Sequence, residues 1–110
     1  MTFIEAGALQ NPIRRTPETQ AAAAATFKVN CAVCHGERGN GQSFVADRFN
    51  NAKVVPPADL SSSRVRNRSD GEIYWLVNNG IGNMPPFREL LTEDQVWGLV
   101  LQVRELQGQR

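Results

Sequence analysis

An all-α fold is predicted for this chain, on three observations. Apolar residues recur at helical spacing behind recognisable helix caps. No stretch alternates apolar and polar residues over a useful strand length. The segments between the helical stretches are rich in Gly and Pro. Residues 1–15 read as an N-terminal arm: Phe3, Ile4, Leu9 and Ile13 show no clear period, and Asn11-Pro12 marks a turn. This arm could pack on its own domain, fray, or dock a partner protein. The domain proper is placed at 16–110.

The first helix is expected to start at Thr16, a good N-cap. Pro17 fits the first helical position and Glu18 suits the positive end of the helix dipole. Ala21–Ala25 add helix propensity, and the helix carries Phe27 to the face four residues before Cys31. Residues 36–68 read mostly as loop, with a short helical piece near Ser43–Arg48. A loop this long in a small domain needs a surface to lie on. The second clear helix opens on the capping box Ser69-Asp70-Gly71-Glu72, carries the stripe Ile73, Leu76, Val77 and ends at Gly80. The last opens on Thr92-Glu93-Asp94-Gln95, repeats Val96, Leu99, Val100, Val103 and Leu106, and stops at Gly108. There are no internal repeats.

At 110 residues the chain builds one domain with a thin core, which a disulfide, a metal or a large buried cofactor would reinforce. Hydrophobic content of 41% and charged content of 21% are ordinary for a soluble globular protein. A net charge of +1, from 12 Lys+Arg against 11 Asp+Glu, argues against nucleic-acid binding. The local basic patches Arg14-Arg15 and Arg64, Arg66, Arg68 read as solvated loop charge, or as groups that steer an acidic partner or meet the acidic groups of such a cofactor. No run approaches the roughly 20 apolar residues of a membrane span, and no basic-then-apolar signal segment opens the chain. The expectation is a soluble chain without a transmembrane segment of its own, such as a mature or trimmed form of an exported precursor.

The only two cysteines, Cys31 and Cys34, and the only histidine, His35, fall in one run, Cys31-Ala32-Val33-Cys34-His35. A redox dithiol of this spacing needs a βαβ context, which is missing. A structural zinc site needs four ligands, and Cys and His supply at most three. Covalent haem attachment needs this run. Two sulfurs three residues apart on one helical face reach two vinyl groups on one porphyrin edge, and the next residue turns its imidazole under the iron. For the sixth position no second histidine exists. Met84 sits in Asn79-Gly80-Ile81-Gly82-Asn83-Met84-Pro85-Pro86-Phe87, 49 residues after His35. The glycines allow close backbone approach and the prolines stiffen the exit, a poor place for a core-filling methionine. Met84 is therefore the expected sixth ligand, and His35 with Met84 the expected iron ligands. Tyr74 or Trp75 could hydrogen-bond a haem propionate, although packing is the plainer role for each.

Over residues 17–107 the chain resembles a class I cytochrome c domain. The helix ending in Phe27, the Cys31–His35 run followed by Gly36, the Gly-x-Met84-Pro loop and the amphipathic last helix occur in the family's order. The stretches Pro56-Pro57-Ala58-Asp59-Leu60, Asp70–Trp75 and Asn79–Pro85, with Asn11-Pro12 ahead of Thr16-Pro17-Glu18, look more narrowly like the monohaem cytochrome subunit of alternative complex III, a membrane quinol:electron-acceptor oxidoreductase. Two positions depart from the family: Ala23 stands where the first helix has Gly, and Gln102 where the last helix has an aromatic. Gly98 offers another route to a close helix crossing.

The resemblance implies one covalent haem c with His/Met ligation, which raises the reduction potential and closes the iron to outside ligands. It implies single-electron transfer with no catalytic residue, on the periplasmic side. The implied partners are redox proteins, with other subunits of a membrane quinol-oxidising complex among them. A freely diffusing shuttle, and a haem enzyme or sensor with an open iron site, are the alternatives.

Overall fold

The computed structural model describes residues 1–108, and these are all-α. Seven helices run in the order α1 (Phe3–Ala6), α2 (Pro17–Asn30), α3 (Ala32–His35), α4 (Phe44–Asn51), α5 (Ser63–Arg66), α6 (Asp70–Asn79) and α7 (Glu93–Leu106). Among the described residues the single β-type pairing is an isolated bridge between Ile81 and Met84. The last two positions of the 16–110 segment lie outside the described residues.

The expected caps hold the three long helices. Thr16 accepts from the Thr19 amide, and the Thr19 hydroxyl accepts from the Thr16 amide in return. Ser69 with Glu72, and Thr92 with Gln95, form the same reciprocal pair on α6 and α7. The short piece expected near Ser43–Arg48 is α4, with the Ser43 hydroxyl capping the Ala46 amide.

The core forms where α7 meets α2 and α6. Val96, Leu99 and Val100 are fully buried and pack with Phe27, Ile73 and Val77. Tyr74 and Trp97 stack with ring centroids 4.0 Å apart and planes 12° from parallel. At the α2–α7 crossing Gly98 faces Ala23, but a methyl at position 98 would sit 3.7 Å from the Ala23 Cβ, an ordinary contact. The close approach therefore does not depend on glycine. Where the family places an aromatic, Gln102 accepts a 2.7 Å hydrogen bond from Gln20.

The arm packs on its own domain. Thr2 and Glu5 cap α1 reciprocally, and α1 lies against α6. Ala6 is fully buried, and Gly71 accepts its backbone so closely that a Cβ at 71 would fall 1.8 Å from the Ala6 carbonyl oxygen. Phe3 meets Trp75 edge to face at 5.4 Å, and the Arg68 guanidinium lies 5.3 Å from the Phe3 ring centre. The Asn11 side-chain amide donates to the Trp97 carbonyl at 2.9 Å while its Oδ1 accepts from the Ile13 amide, so the Asn11-Pro12 turn is pinned to α7.

Candidate functional site

The Cys31–His35 run lies at the junction of α2 and α3. Cys31 closes α2 by donating its amide to the Phe27 carbonyl at 2.8 Å, and its own carbonyl then accepts from the Cys34 and His35 amides to start α3. The two sulfur-bearing residues therefore sit one turn apart. Both are free thiols and half-buried. Burial, with a smaller contribution from the neighbouring Cys34, pushes the Cys31 thiol up to about 12.

The His35 imidazole is oriented by backbone. Its Nδ1 lies 2.9 Å from the Ala58 carbonyl oxygen, a bond that requires the proton on Nδ1. Nε2 has no protein partner among the described residues. A carbonyl behind a ligating histidine sets its tautomer and raises its basicity. Further backbone bonds hold this corner: the Gly41 amide donates to the His35 carbonyl at 2.7 Å and the Leu60 amide to the Gly39 carbonyl at 2.7 Å. The Ser43 hydroxyl donates to the Cys34 carbonyl at 2.7 Å while capping α4. The sequence assigns neither Ala58 nor Ser43 a part in the site. Pro56-Pro57 was the nearest signal for Ala58, whose part is played by a main-chain atom that every residue carries.

Met84, the other ligand expected from sequence, lies in a tight loop after α6. The Ile81 and Met84 amides and carbonyls pair at 3.2 and 2.9 Å, and the Phe87 amide returns to the Val77 carbonyl at 3.0 Å. Gly80 makes the loop possible. Its φ is +73°, and a Cβ there would meet the Met84 carbonyl oxygen at 2.6 Å. At Gly82 the φ is +56°, and beyond its chain neighbours no protein atom lies within 4 Å of a Cβ built there. Met84 is half-buried against the core cluster that also receives Cys31 and Ala32.

The aromatic and basic candidates make contacts within the fold. Trp75 Nε1 points to the Met1 carbonyl at 3.5 Å and Tyr74 is in the Trp97 stack, so both belong to the α1–α6–α7 side. Arg15 is bound to Gln20, Glu105 and the Leu101 carbonyl, and Arg66 to the Ser61 and Gln107 carbonyls. These two arginines brace the fold. No three His, Cys, Asp or Glu side chains converge as a metal-ligand set among the described residues.

The family model described as cytochrome c oxidase, cbb3-type, subunit III matches residues 18–101. The chain is a cytochrome c domain. It is 35% identical over 85 residues to cytochrome c6 of Leptolyngbya boryana, covering 76% of this chain and 87% of that protein. It is 30% identical to cytochrome c6 of Chlorolobion braunii, covering 72% and 81%. Among solved structures it resembles a chain of the Kuenenia stuttgartiensis reducing HAO-like protein complex, with a TM-score of 0.72 and 27% identity. That likeness covers 86% of this chain but 46% of the neighbour, so this cytochrome spans about half of it. A second neighbour, the KustC0563 c-type cytochrome, gives a TM-score of 0.63 at 26% identity, covering 76% of this chain and 95% of the other.

Family membership makes the cofactor of this cytochrome one covalent haem c and its work haem-based electron transfer. The residues present fit that group. Two unpaired thiols stand one helical turn apart, an imidazole offers a free Nε2 beside them, and a thioether packs on the same core. No described helix is long and apolar enough to cross a membrane.

Proposed function

We propose that Cys31 and Cys34 attach the haem, that His35 Nε2 and the Met84 sulfur are the axial ligands, and that the cytochrome passes single electrons as a subunit of a membrane-associated complex on the periplasmic side. The bound haem supplies the Fe(III)/Fe(II) couple. Each thiol adds its S–H across a vinyl group, so attachment needs no oxidant. The observation that carries the ligand assignment is the His35 Nδ1–Ala58 contact, which leaves one imidazole nitrogen basic and uncommitted. The Met84 loop supports the second ligand, because its cross-loop pairing holds the residue in one place without tying up the sulfur.

Membership of a complex is supported by the description of the matching family model, an oxidase subunit, and by a structural neighbour that belongs to a multi-protein complex. The sequence likeness to the quinol-oxidising alternative complex III makes that assembly the specific candidate. A second reading, a freely diffusing shuttle, is favoured by the match to most of the length of the cytochrome c6 proteins. Native purification separates the two. A subunit co-purifies with its partners through gel filtration, whereas a shuttle elutes alone. The ligand set is tested by the weak far-red charge-transfer band of Met–Fe(III), which should be present in the oxidised protein and absent in Met84→Ala.

A further inference from the structure

Gln107 is the one buried polar side chain among the described residues, at 5% exposure, and it lies just past the end of α7, where helix ends are ordinarily solvated. Each of its polar groups has a partner. Its Nε2 donates to the Leu60 carbonyl at 2.7 Å, and its Oε1 accepts from Arg104 Nη1 at 3.0 Å. Its carbonyl accepts from Arg66 Nη2 at 3.1 Å, and its amide donates to the Val103 carbonyl at 3.1 Å. Arg104 in turn holds the Arg68 carbonyl at 2.6 Å and the Asp70 carboxylate at 2.9 Å. Together Gln107 and the two arginines fasten the segment from Leu60 to Asp70 onto the end of α7.

Leu60 is two residues from Ala58, whose carbonyl orients His35, and its amide is bound to Gly39 in the loop that follows His35. The same loop lies against Pro57–Asp59 at Gly41 and against Leu60 and Leu106 at Gly39. Three segments therefore meet in one joint, and Gln107 is the side chain that spans from α7 to the stretch bearing the Ala58 carbonyl. We infer that Gln107 is a positioning residue for His35: by holding the Leu60 carbonyl it keeps the Ala58 carbonyl on His35 Nδ1. This rests on the assignment of His35 as the proximal ligand.

The test uses nitrogen-15-labelled holoprotein in the diamagnetic ferrous state, where the His35 Nδ1–H proton and the backbone amides are followed together by hydrogen exchange. Gln107→Glu is the discriminating variant. It keeps the acceptor for Arg104 and the shape of the side chain but loses the donor to Leu60. Gln107→Leu loses both. Both variants are expected to speed exchange of His35 Nδ1–H and of the Leu60 amide about tenfold, the upper worth of one ordinary hydrogen bond. The Val100 amide in the middle of α7 should keep its wild-type rate. Gln102→Leu, which breaks the Gln20 bond on the same helix, should leave His35 unchanged. Wild-type exchange at His35 in Gln107→Glu overturns the inference, as does acceleration that the Val100 amide shares, since that is global loosening. Failure of the ligand assignment looks different. The His35 ring of the wild-type protein would then lack the ring-current displacement of an iron-bound imidazole.

Discussion

Residues 31–60 and the loop 79–88 each carry one proposed axial ligand, yet they are held by different kinds of contact. The loop is secured within its own neighbourhood. Gly80 caps α6 through Leu76, Ile81 pairs with Met84, Phe87 and Arg88 return to Val77 and Asn78, and Arg88 reaches the Asn79 side chain. Every partner lies within ten residues. The His35 side is secured from a distance, by Ala58 behind the imidazole, by Leu60 beside it and by Gln107 at the far end of the chain. A locally held ligand can be lost and regained without disturbing the fold. A ligand held by three remote segments is lost only when those segments part.

Substitutions on the two sides should therefore differ in kind. The largest effect is expected for His35→Ala, which removes the ring that joins α3 to Ala58; stable holoprotein should fail to accumulate, as read by haem staining after denaturing electrophoresis. Met84→Ala should keep covalent haem and helix content while the far-red band disappears, the reduced protein binds carbon monoxide and the potential falls. An unchanged potential would remove Met84 from the ligand set. Gly80→Ala places a Cβ against the Met84 carbonyl at a positive φ, with an expected cost of about 2 kcal/mol confined to the loop. The far-red band should weaken at temperatures where the circular dichroism of the helices is unchanged.

Gly71→Ala tests whether the loop is independent of the base of its own helix. The new methyl collides with the Ala6 carbonyl, so the arm must shift or undock, and this escape caps the loss at about 1–2 kcal/mol. Melting should come earlier with Met84 ligation intact. The smallest effect concerns Asp59, next to the carbonyl that orients His35. Hydrogen bonds from the Ser61 hydroxyl and amide hold its carboxyl below the usual range. A lowered folded pKa means the contribution is present above the ordinary carboxylate range, roughly pH 4, and fades as pH falls through the folded value. The group is exposed, so screening keeps the term small. Asp59→Asn should be slightly less stable than wild type at pH 7 and converge with it in acid, measured by urea denaturation across that range.

The same contrast explains what could be read from sequence. The Met84 loop is written in consecutive residues whose Gly and Pro content signals a constrained turn, so both the loop and its proposed ligand are legible. Helices α2, α6 and α7 were visible because caps and apolar stripes are local signals. The scaffold behind His35 was not, because a carbonyl at Ala58 has no side-chain signature and the Gln107–Leu60 bond joins positions 47 apart. Helix α1 carries a legible cap in Thr2 and Glu5, but at four residues it has no stripe to announce it, and α5 is equally short. The departure at Ala23 and Gln102 was visible as a departure. Its resolution was not, since the Gln20–Gln102 bond depends on how two helices cross.

The packing of the arm also has a consequence for the order of events in synthesis. The arm is made before the surface it docks on. Ala6 finds its seat only when Gly71 has been added, and Asn11 must wait for Trp97, 86 residues later. Contacts of such separation slow folding, because loop closure precedes any gain from them. The Cys31–His35 run is made well before α6 and α7, so it is complete while the arm still has nothing to pack against. The nascent chain thus passes through a stage in which both thiols are present and the fold that will half-bury them is still unfinished.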